Sequence, residues 1–256
     1  MTEIQAPRAL LTLGSGPMKP ILECTLPTFK AFAARHHYEL IVGDVPNPFE
    51  RPVPWAKISL IQEALKRYGF VLWLDADTII LDDSLDPVDC LPAEAFQAMV
   101  RHQSVEEACP NTGVWLLRSC EATHRFLDEV WNQHQFIDDP WWENAAVIDL
   151  LGYSLRPTNQ ERGSRWLSGT HWLANEWNSH VGWNGLVPAR IRHYAGVSNI
   201  SRLRNMTVDY HGFQAGRASG VIRYLRLAQF GWGEFKRRPA VVLRALAKRL
   251  GKVASQ

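Results

Sequence analysis

Residues 70–77 read Phe-Val-Leu-Trp-Leu-Asp-Ala-Asp, so five apolar residues run directly into two aspartates with one alanine between them. An uninterrupted apolar run of this length is typical of a central parallel strand, because helices cover both faces of such a sheet. Asp75 and Asp77 stand at the carboxyl end of this predicted strand. Ligands of open α/β sheets bind outside the carboxyl ends of the strands, so we expect the functional site here.

Strand and helix patterns alternate on both sides of this run. Hydrophobic periodicity and turn residues predict further strands at 9–13, 38–42, 98–100, 113–117, 173–177 and 190–194. The same signals predict helices at 21–36, 55–68, 121–134 and 142–152. This alternation predicts an α/β fold of the doubly wound kind, with helices on both faces of one sheet.

Composition places the chain among globular proteins. Its 256 residues are 46% hydrophobic and 21% charged, which fits one large domain or two small ones. The four cysteines form no Cys-x-x-Cys pair, so we expect reduced thiols. No apolar run approaches the roughly 20 residues of a membrane span, and the first residues lack the layout of a secretory signal. These features favour a cytoplasmic protein.

Charge is unevenly distributed along the chain. Residues 217–256 hold ten Lys and Arg side chains but one acidic one, for a net charge of +9, while residues 1–216 sum to −7. Apolar residues between 242 and 250 recur at helical spacing with basic residues opposite them. We therefore expect a domain at 1–212 and a basic amphipathic helical extension at 213–256. Such a helix is typical of peripheral contact with an anionic membrane, but a helix packed on the domain fits the same pattern.

The two aspartates have a chemical reason to stand together. In extended backbone, residues two apart point to the same face, so Asp75 and Asp77 would present both carboxylates to one spot. Two anions in a half-buried cleft need a cation to neutralise them. Oxygen donors favour Mg²⁺ or Mn²⁺, which commonly complete their coordination with substrate phosphates. The pattern predicts a metal–diphosphate site; the alternative is that both aspartates cap the following turn.

Five motifs occur in one order along the chain. They are Trp55-x-Lys57, Val-Leu-Trp-Leu-Asp-Ala-Asp-Thr at 71–78, Asn-Thr-Gly-Val-Trp-Leu-Leu-Arg at 111–118, Trp-Glu-Asn-Ala-Ala at 142–146, and His-Tyr-Ala-Gly at 193–196. This order resembles the nucleotide-sugar glycosyltransferases of GT-A fold, particularly the family of galactosyl-, mannosyl- and xyloglucan xylosyltransferases. The resemblance covers about residues 9–212. It implies a Rossmann-like mixed sheet flanked by helices in a single catalytic domain.

The resemblance also implies a metal site. Asp75 and Asp77 would form the DxD motif that holds a divalent metal, usually Mn²⁺ with Mg²⁺ as the alternative, on the diphosphate of the sugar nucleotide. His193 would be the third protein ligand, although a histidine that ends a strand is also commonly a hydrogen-bonded structural residue. Several members of the family place a lysine just after the glycine at position 196. This sequence has none there, and Arg202 or Arg204 would have to bind the phosphate instead.

Further site residues follow from the same resemblance. The catalytic candidates are Asp77 and Glu143, and Glu143 would be the carboxylate that faces the sugar. The alternative for Glu143 is structural, because the helix dipole also favours an acid in the first turn of a helix. Lys57 would contact the nucleotide or pair structurally with an acid. Apart from the resemblance, flat aromatic faces suit sugar rings, so one or two of the tryptophans at 166, 172, 177 and 183 would line an acceptor groove; the alternative is that they build the core. The donor-binding candidates are Thr12, Gly14, Trp55, Lys57, Asp75, Asn111, Thr112, Gly113, Asn144 and Gly196.

The predicted activity is transfer of a sugar from a nucleoside diphosphate sugar, UDP-linked rather than GDP-linked, to a hydroxyl of a glycan or lipid-linked acceptor. The resemblance implies retention of anomeric configuration. Two other functions fit parts of the pattern: a phosphatase-type enzyme with Asp75 as nucleophile, and a non-catalytic scaffold that binds nucleotide or carbohydrate. Nucleic acid is not an expected partner, because residues 1–216 are acidic.

Overall fold

The computed structural model describes residues 6–46, 48–104, 106–181 and 189–214. The strands are β1 (Arg8–Thr12), β2 (Tyr38–Val42), β3 (Phe70–Leu74), β4 (Thr78–Ile80), β5 (Gln97–Gln103), β6 (Ala108–Arg118), β7 (Thr170–Leu173), β8 (Ser179–His180) and β9 (Ile191–His193). The α-helices are α1 (Lys19–Arg35), α2 (Ala56–Leu65), α3 (Glu121–Trp131), α4 (Trp142–Leu150) and α5 (Asn199–Gln214). Short 3₁₀ helices occupy Gly16–Met18, Val53–Trp55, Pro87–Cys90, His134–Phe136 and Asn175–Asn178.

The main sheet has six strands in the order β2-β1-β3-β6-β5-β7. β1 runs parallel to both β2 and β3. β6 is antiparallel to β3 and to β5, and β7 is parallel to β5. The sheet is therefore mixed, as the resemblance implies. β3 is parallel to β1 and antiparallel to β6, and its carboxyl end lies beside the middle of β6.

Both faces of β3 are buried, which confirms the interpretation of its apolar run. Val71 and Trp73 belong to the core formed with α2, α3 and α4 on one side of the sheet. Leu72 and Leu74 belong to the core formed with α1 on the other side. Burying one such side chain stabilises the fold by about 1.5–3 kcal/mol, so this strand is a firm support for the residues that follow it.

A small second sheet carries the chain back to the end of β3. Its order is β4-β9-β8, with β9 antiparallel to β4 and parallel to β8. Thr78 pairs with His193 in this sheet. Because Thr78 follows Asp77 directly, the register brings a histidine more than a hundred positions away to the aspartate pair.

A bulge in β6 shapes the same region. β6 pairs with β3 as far as Val114 opposite Leu74. Against β5, however, the register jumps from the Met99–Trp115 pair to the Val100–Asn111 pair, so residues 112–114 have no partner on that side. Bulges of this kind bend a strand and re-aim its residues, and this one turns 112–114 towards the end of β3.

One predicted strand is wrong. The residues at 173–177 were expected to be extended, but β7 ends at Leu173 and a 3₁₀ helix follows at Asn175–Asn178. The N–H of Trp177 donates to the carbonyl of Ala174 (3.0 Å), which closes a turn where a strand was predicted. This turn carries the chain out of the main sheet and into β8.

The predicted extension at 213–256 falls outside the described residues, apart from 213 and 214, which belong to α5. That it forms a basic amphipathic helix therefore stays a prediction from sequence. Across the part of the chain that the structure describes, no helix combines the length and the apolar character needed to cross a membrane.

Candidate active site

The two aspartates converge through a turn rather than through an extended strand. β3 ends at Leu74, and residues 75–77 form a turn before β4 begins. The N–H and the hydroxyl of Thr78 both donate to the carbonyl of Asp75 (3.0 and 2.8 Å). Strand alternation was expected to align the two carboxylates. That reason is wrong, because residues 75–77 form a turn and are not extended backbone. The turn nevertheless leaves both carboxylates beside the same histidine.

Asp75, Asp77 and His193 form a cluster whose ligand atoms lie within 4.8 Å of one another. The Nε2 atom of His193 lies 3.3 Å from Oδ1 of Asp77 and 3.8 Å from Oδ2 of Asp75. Two carboxylates and an imidazole fit the donor preferences of Mn²⁺, and carboxylates those of Mg²⁺. Among the described residues this is the one group of three or more potential metal ligands at such distances. The structure thus brings together the three predicted ligands.

Arg202 adds a positive charge on the other side of Asp77. Its guanidinium lies 3.2 Å from Oδ2 of Asp77 and also donates to the carbonyl of Tyr194 (3.1 Å). Burial alone would raise the pKa of Asp77, but the protonated form of His193, together with Arg202, lowers it to about 2. Arg204, the other candidate for phosphate binding, is exposed. Of the two arginines, Arg202 is the one that reaches the aspartate pair.

Lys57 joins the aspartate pair to the predicted catalytic carboxylate. Its buried ammonium lies 3.0 Å from Oδ1 of Asp75 and 2.7 Å from Oε1 of Glu143. It also donates to the hydroxyl of Thr112 (3.3 Å). Burial would lower the pKa of Lys57, but the two carboxylates raise it above its ordinary value. The structural pairing proposed for Lys57 is therefore present, and it involves two acids rather than one.

Glu143 is buried at the start of α4 with one oxygen unpaired. Oε1 is bound to Lys57, whereas Oε2 is buried with no hydrogen-bond partner among the described residues. Burial and the nearby Asp75 raise the pKa of Glu143, and Lys57 opposes them. An unsatisfied buried acceptor costs roughly 1–3 kcal/mol. A ligand hydroxyl would supply the missing donor.

The bulge of β6 is hydrogen-bonded to α4, the helix that carries Glu143. The N–H and the hydroxyl of Thr112 both donate to Oδ1 of Asn144 (2.9 Å each). The carbonyl of Gly113 accepts from the N–H of Asp75 (2.9 Å). Thr112, Gly113 and Asn144 therefore lie between Asp75 and Glu143, and set the spacing of the two acids.

The remaining donor-binding candidates are less closely gathered. Thr12 ends β1 at the same edge of the sheet, and its buried hydroxyl has no partner among the described residues. Gly14 packs against α1, since a Cβ there would lie 2.7 Å from Cβ of Leu22. Gly196 is exposed with a φ of +69°, a conformation that favours glycine. Their donor-binding roles stay predictions.

The tryptophans are mainly core residues. Trp55 is fully buried, packs edge-on against Trp131 and donates to the carbonyl of Ile137, so this geometry gives no support for a donor-binding role. Trp166 and Trp177 are also buried, whereas Trp172 is half-buried. Trp183 lies outside the described residues. Trp73 also makes a polar contact that its place in an apolar run does not predict: its indole N–H donates to Oδ1 of Asp75 (2.7 Å).

Asn178 is a site residue that the sequence analysis missed. It is fully buried, and its side-chain oxygen lies 3.0 Å from Nδ1 of His193. No motif contains it, and the 3₁₀ helix that positions it was expected to be a strand. Only the register of the small second sheet brings it to His193.

Part of this chain is similar in sequence to known galactosyltransferases. The sequence profile of the galactosyl transferase GMA12/MNN10 family matches residues 20–107, which include the aspartate pair. An uncharacterized alpha-1,2-galactosyltransferase of Schizosaccharomyces pombe is 30% identical over 82 residues. That match spans 29% of this chain and 22% of the relative's length.

Solved structures share the fold at low sequence identity. A glycosyltransferase involved in glycosylation of the major capsid of PBCV-1 superposes with a TM-score of 0.59 at 16% identity, covering 79% of this chain and all of the other. The bifunctional glycosyltransferase WbbM has a TM-score of 0.51 at 11% identity, covering 83% of this chain and 53% of the other. These comparisons confirm the resemblance to glycosyltransferases of GT-A fold and the fold it implies.

Proposed function

We propose that this chain is a metal-dependent glycosyltransferase that transfers a sugar from a nucleoside diphosphate sugar to an acceptor hydroxyl. One observation carries the proposal: the ligand atoms of Asp75, Asp77 and His193 lie within 4.8 Å of one another at the carboxyl end of β3. This is the edge of an α/β sheet where ligands bind, and the fold is that of glycosyltransferases.

The charges of the site suit a diphosphate. A divalent cation bound by the three ligands, Mn²⁺ in first place and Mg²⁺ as the alternative, would stabilise the negative charge that develops on the leaving diphosphate. Arg202, whose guanidinium reaches Asp77, binds the phosphate in place of the lysine that several members of the family have just after the glycine at position 196. Thr12, Gly14 and Gly196 belong to the same proposal as donor-binding residues.

Glu143 serves the sugar end of the donor. Its unpaired Oε2 accepts from a sugar hydroxyl or faces the anomeric carbon, where positive charge develops as the glycosidic bond breaks. Lys57 holds Oε1 and so fixes the direction of Oε2. Asn144 and Thr112 hold the helix that carries Glu143. The reaction proceeds with retention, Glu143 acting as nucleophile or as electrostatic stabiliser.

The finer assignments belong to the same proposal. The donor is a UDP-sugar rather than a GDP-sugar, and the acceptor is a glycan or a lipid-linked glycan. The basic segment at 217–256, with its net charge of +9, provides peripheral contact with an anionic membrane at its cytoplasmic face. The transferred sugar is a hexose or a pentose.

A donor screen with the full chain tests the proposal. UDP- and GDP-sugars are incubated with Mn²⁺ and a panel of glycan acceptors, and release of nucleoside diphosphate is measured with and without EDTA. We expect release from one UDP-sugar that EDTA abolishes and Mn²⁺ restores. Release of phosphate from a phosphomonoester instead would indicate the phosphatase-type function. Calorimetric binding of UDP without turnover of any donor would indicate a non-catalytic scaffold.

A further inference from the structure

The ring of His193 is hydrogen-bonded to a buried amide through the nitrogen that does not face the aspartates. Nδ1 of its ring lies 3.0 Å from Oδ1 of Asn178, on the side opposite the aspartates. Both residues are almost completely inaccessible to water. A hydrogen bond in such surroundings is not exchanged for one with solvent, so it restricts which ring nitrogen carries the hydrogen.

A main-chain group fixes the orientation of that amide. The N–H of Gly113 donates to Oδ1 of Asn111 (2.9 Å), which identifies that atom as the oxygen of the Asn111 amide. The same oxygen accepts from Nδ2 of Asn178 (2.8 Å). The nitrogen of Asn178 therefore faces Asn111, and its oxygen faces His193. A reversed Asn178 amide would place two acceptors together at Asn111.

The chain of hydrogen bonds determines the tautomer of His193. The amide oxygen of Asn178 can only accept, so Nδ1 of the neutral imidazole must carry the hydrogen. Its lone pair then lies on Nε2, the atom 3.3 Å from Asp77 and 3.8 Å from Asp75. We propose that Asn178 is a positioning residue that keeps His193 in the Nδ1–H tautomer and so presents Nε2 to a divalent cation shared with the two aspartates.

A competing tautomer makes this function necessary. Without Asn178, the ring can carry its hydrogen on Nε2 and donate it to Asp77 across the 3.3 Å that separates them. That arrangement removes the lone pair that a cation requires. Replacing the residue that is hydrogen-bonded to the second ring nitrogen of a metal-ligating histidine typically lowers metal affinity about 10–100-fold. The inference rests on the metal site of the proposed function, but the tautomer of His193 can be measured without metal.

The experiment compares Asn178→Leu with the wild-type full chain. Mn²⁺ binding is measured by calorimetry without sugar nucleotide, and the tautomer of His193 is read from its ring ¹⁵N shifts in metal-free protein at a pH where the ring is neutral. We expect Mn²⁺ affinity to fall about 10–100-fold and the hydrogen to move from Nδ1 to Nε2. In Asn178→Asp the carboxylate still only accepts, so the Nδ1–H tautomer should persist.

Gln97→Leu is the matched control, because Gln97 is an equally buried amide that bonds Trp115 and Thr170 rather than His193. It should lose stability and keep both the Mn²⁺ affinity and the tautomer. The proposal is overturned if wild-type His193 carries its hydrogen on Nε2, an observation that needs no variant to fold. Unchanged Mn²⁺ affinity in folded Asn178→Leu would also overturn it. If the wild type shows the Nδ1–H tautomer but binds no Mn²⁺, the metal assignment fails while the orientation by Asn178 stands.

Discussion

Gly113 lies directly against the imidazole of His193. A Cβ placed on residue 113 would lie 2.2 Å from Cε1 and 2.6 Å from Nδ1 of that ring. Non-bonded carbon atoms prefer separations of roughly 3.5–4.0 Å, so the ring occupies the space that a side chain at 113 would need. The bulge of β6 therefore packs against the histidine of the Asp75–Asp77–His193 cluster through a residue that must have no side chain.

Replacing Gly113 with alanine should displace the histidine. The added methyl group can be accommodated only if the imidazole or the bulge moves, and overpacking of this kind costs about 1–3 kcal/mol of unfolding free energy. We expect Mn²⁺ affinity to fall by at least tenfold, because Nε2 moves away from the two aspartates. Calorimetry with Mn²⁺ and urea unfolding measure the two effects.

Gly163→Ala is the control for this substitution. Gly163 is exposed, and nothing lies within 4 Å of the position that its Cβ would take. It should change neither stability nor Mn²⁺ affinity. Wild-type Mn²⁺ affinity in Gly113→Ala would show that the contact with His193 does not determine the ligand geometry.

Removing the charge of Lys57 should be strongly destabilising. Lys57→Met leaves Asp75 and Glu143 facing each other without the cation between them, and breaking a buried ion pair from one side costs about 3–5 kcal/mol. Lys66→Met is the matched control, because Lys66 pairs with Glu63 on the surface, where such pairs contribute about 0–1 kcal/mol. Urea unfolding of both variants at pH 7 measures the difference. Equal losses would contradict the bridging function of Lys57.

The loss in Lys57→Met should shrink as the pH falls. Burial and Asp75 already raise the pKa of Glu143 in the wild type, and Lys57 is the group that opposes them. In the variant the pKa of Glu143 therefore rises further, so the folded state binds a proton at a pH where the unfolded state does not. Stability of the variant then increases as the pH decreases through that folded-state pKa. Unfolding curves at pH 7 and pH 5 would contradict this if the gap to wild type stayed constant or widened.

The metal itself should stabilise the fold. A ligand at about 100 times its dissociation constant adds about 2.7 kcal/mol to the free energy of unfolding. Thermal unfolding of EDTA-treated protein should therefore occur at a lower Tm than that of protein with Mn²⁺. Asp77→Asn should abolish the shift, whereas Asp83→Asn, which alters a carboxylate paired with Arg35 outside the cluster, should keep it. A shift of full size in Asp77→Asn would remove Asp77 from the metal site.

Local sequence patterns predicted the helices α1–α4 and the strands β1, β2, β3, β5 and β6 of the main sheet, but not β4, β7, β8 or α5. The apolar run at 70–74 indicated a strand buried on both faces, and its burial and its carboxyl end are as expected. The strand predicted at 173–177 was wrong, because β7 lies earlier in the chain, at Thr170–Leu173, and a 3₁₀ helix follows it. β7 pairs with β5 as far as Leu173 opposite Val100, and the turn closed by Trp177 and Ala174 then leads the chain away.

The geometry of the site depends on pairings that no local pattern contains. Asp75 and Asp77 could be located by their place after β3, but the turn that joins them became visible only with β4. Lys57 lies between two acids because the bulge of β6 sets the distance of α4 from β3. Asn178 reaches His193 through the register of β8 and β9. Each of these depends on strand neighbours far apart in the chain.

Glu143→Gln should separate the function of this carboxylate from its structural contacts. The amide keeps the shape of the side chain, and its oxygen can still accept from Lys57, so the fold should be retained. The position of Oε2 then becomes an N–H group, which cannot accept from a sugar hydroxyl or stabilise positive charge at the anomeric carbon. We expect sugar transfer to fall about 10²–10³-fold, the range typical of removing one electrostatic contact from a transition state.

Mn²⁺ affinity should be nearly unchanged in Glu143→Gln, because Glu143 is not one of the three ligands. Glu63→Gln, at an exposed carboxylate paired with Lys66, is the control and should keep full activity. Azide added to a second variant, Glu143→Ala, distinguishes a nucleophilic function of Glu143 from electrostatic stabilisation. A glycosyl azide of inverted configuration indicates that Glu143 is a nucleophile whose place azide takes, whereas no such product indicates electrostatic stabilisation. Wild-type transfer by Glu143→Gln would contradict both, because neither mechanism survives the loss of the carboxylate charge.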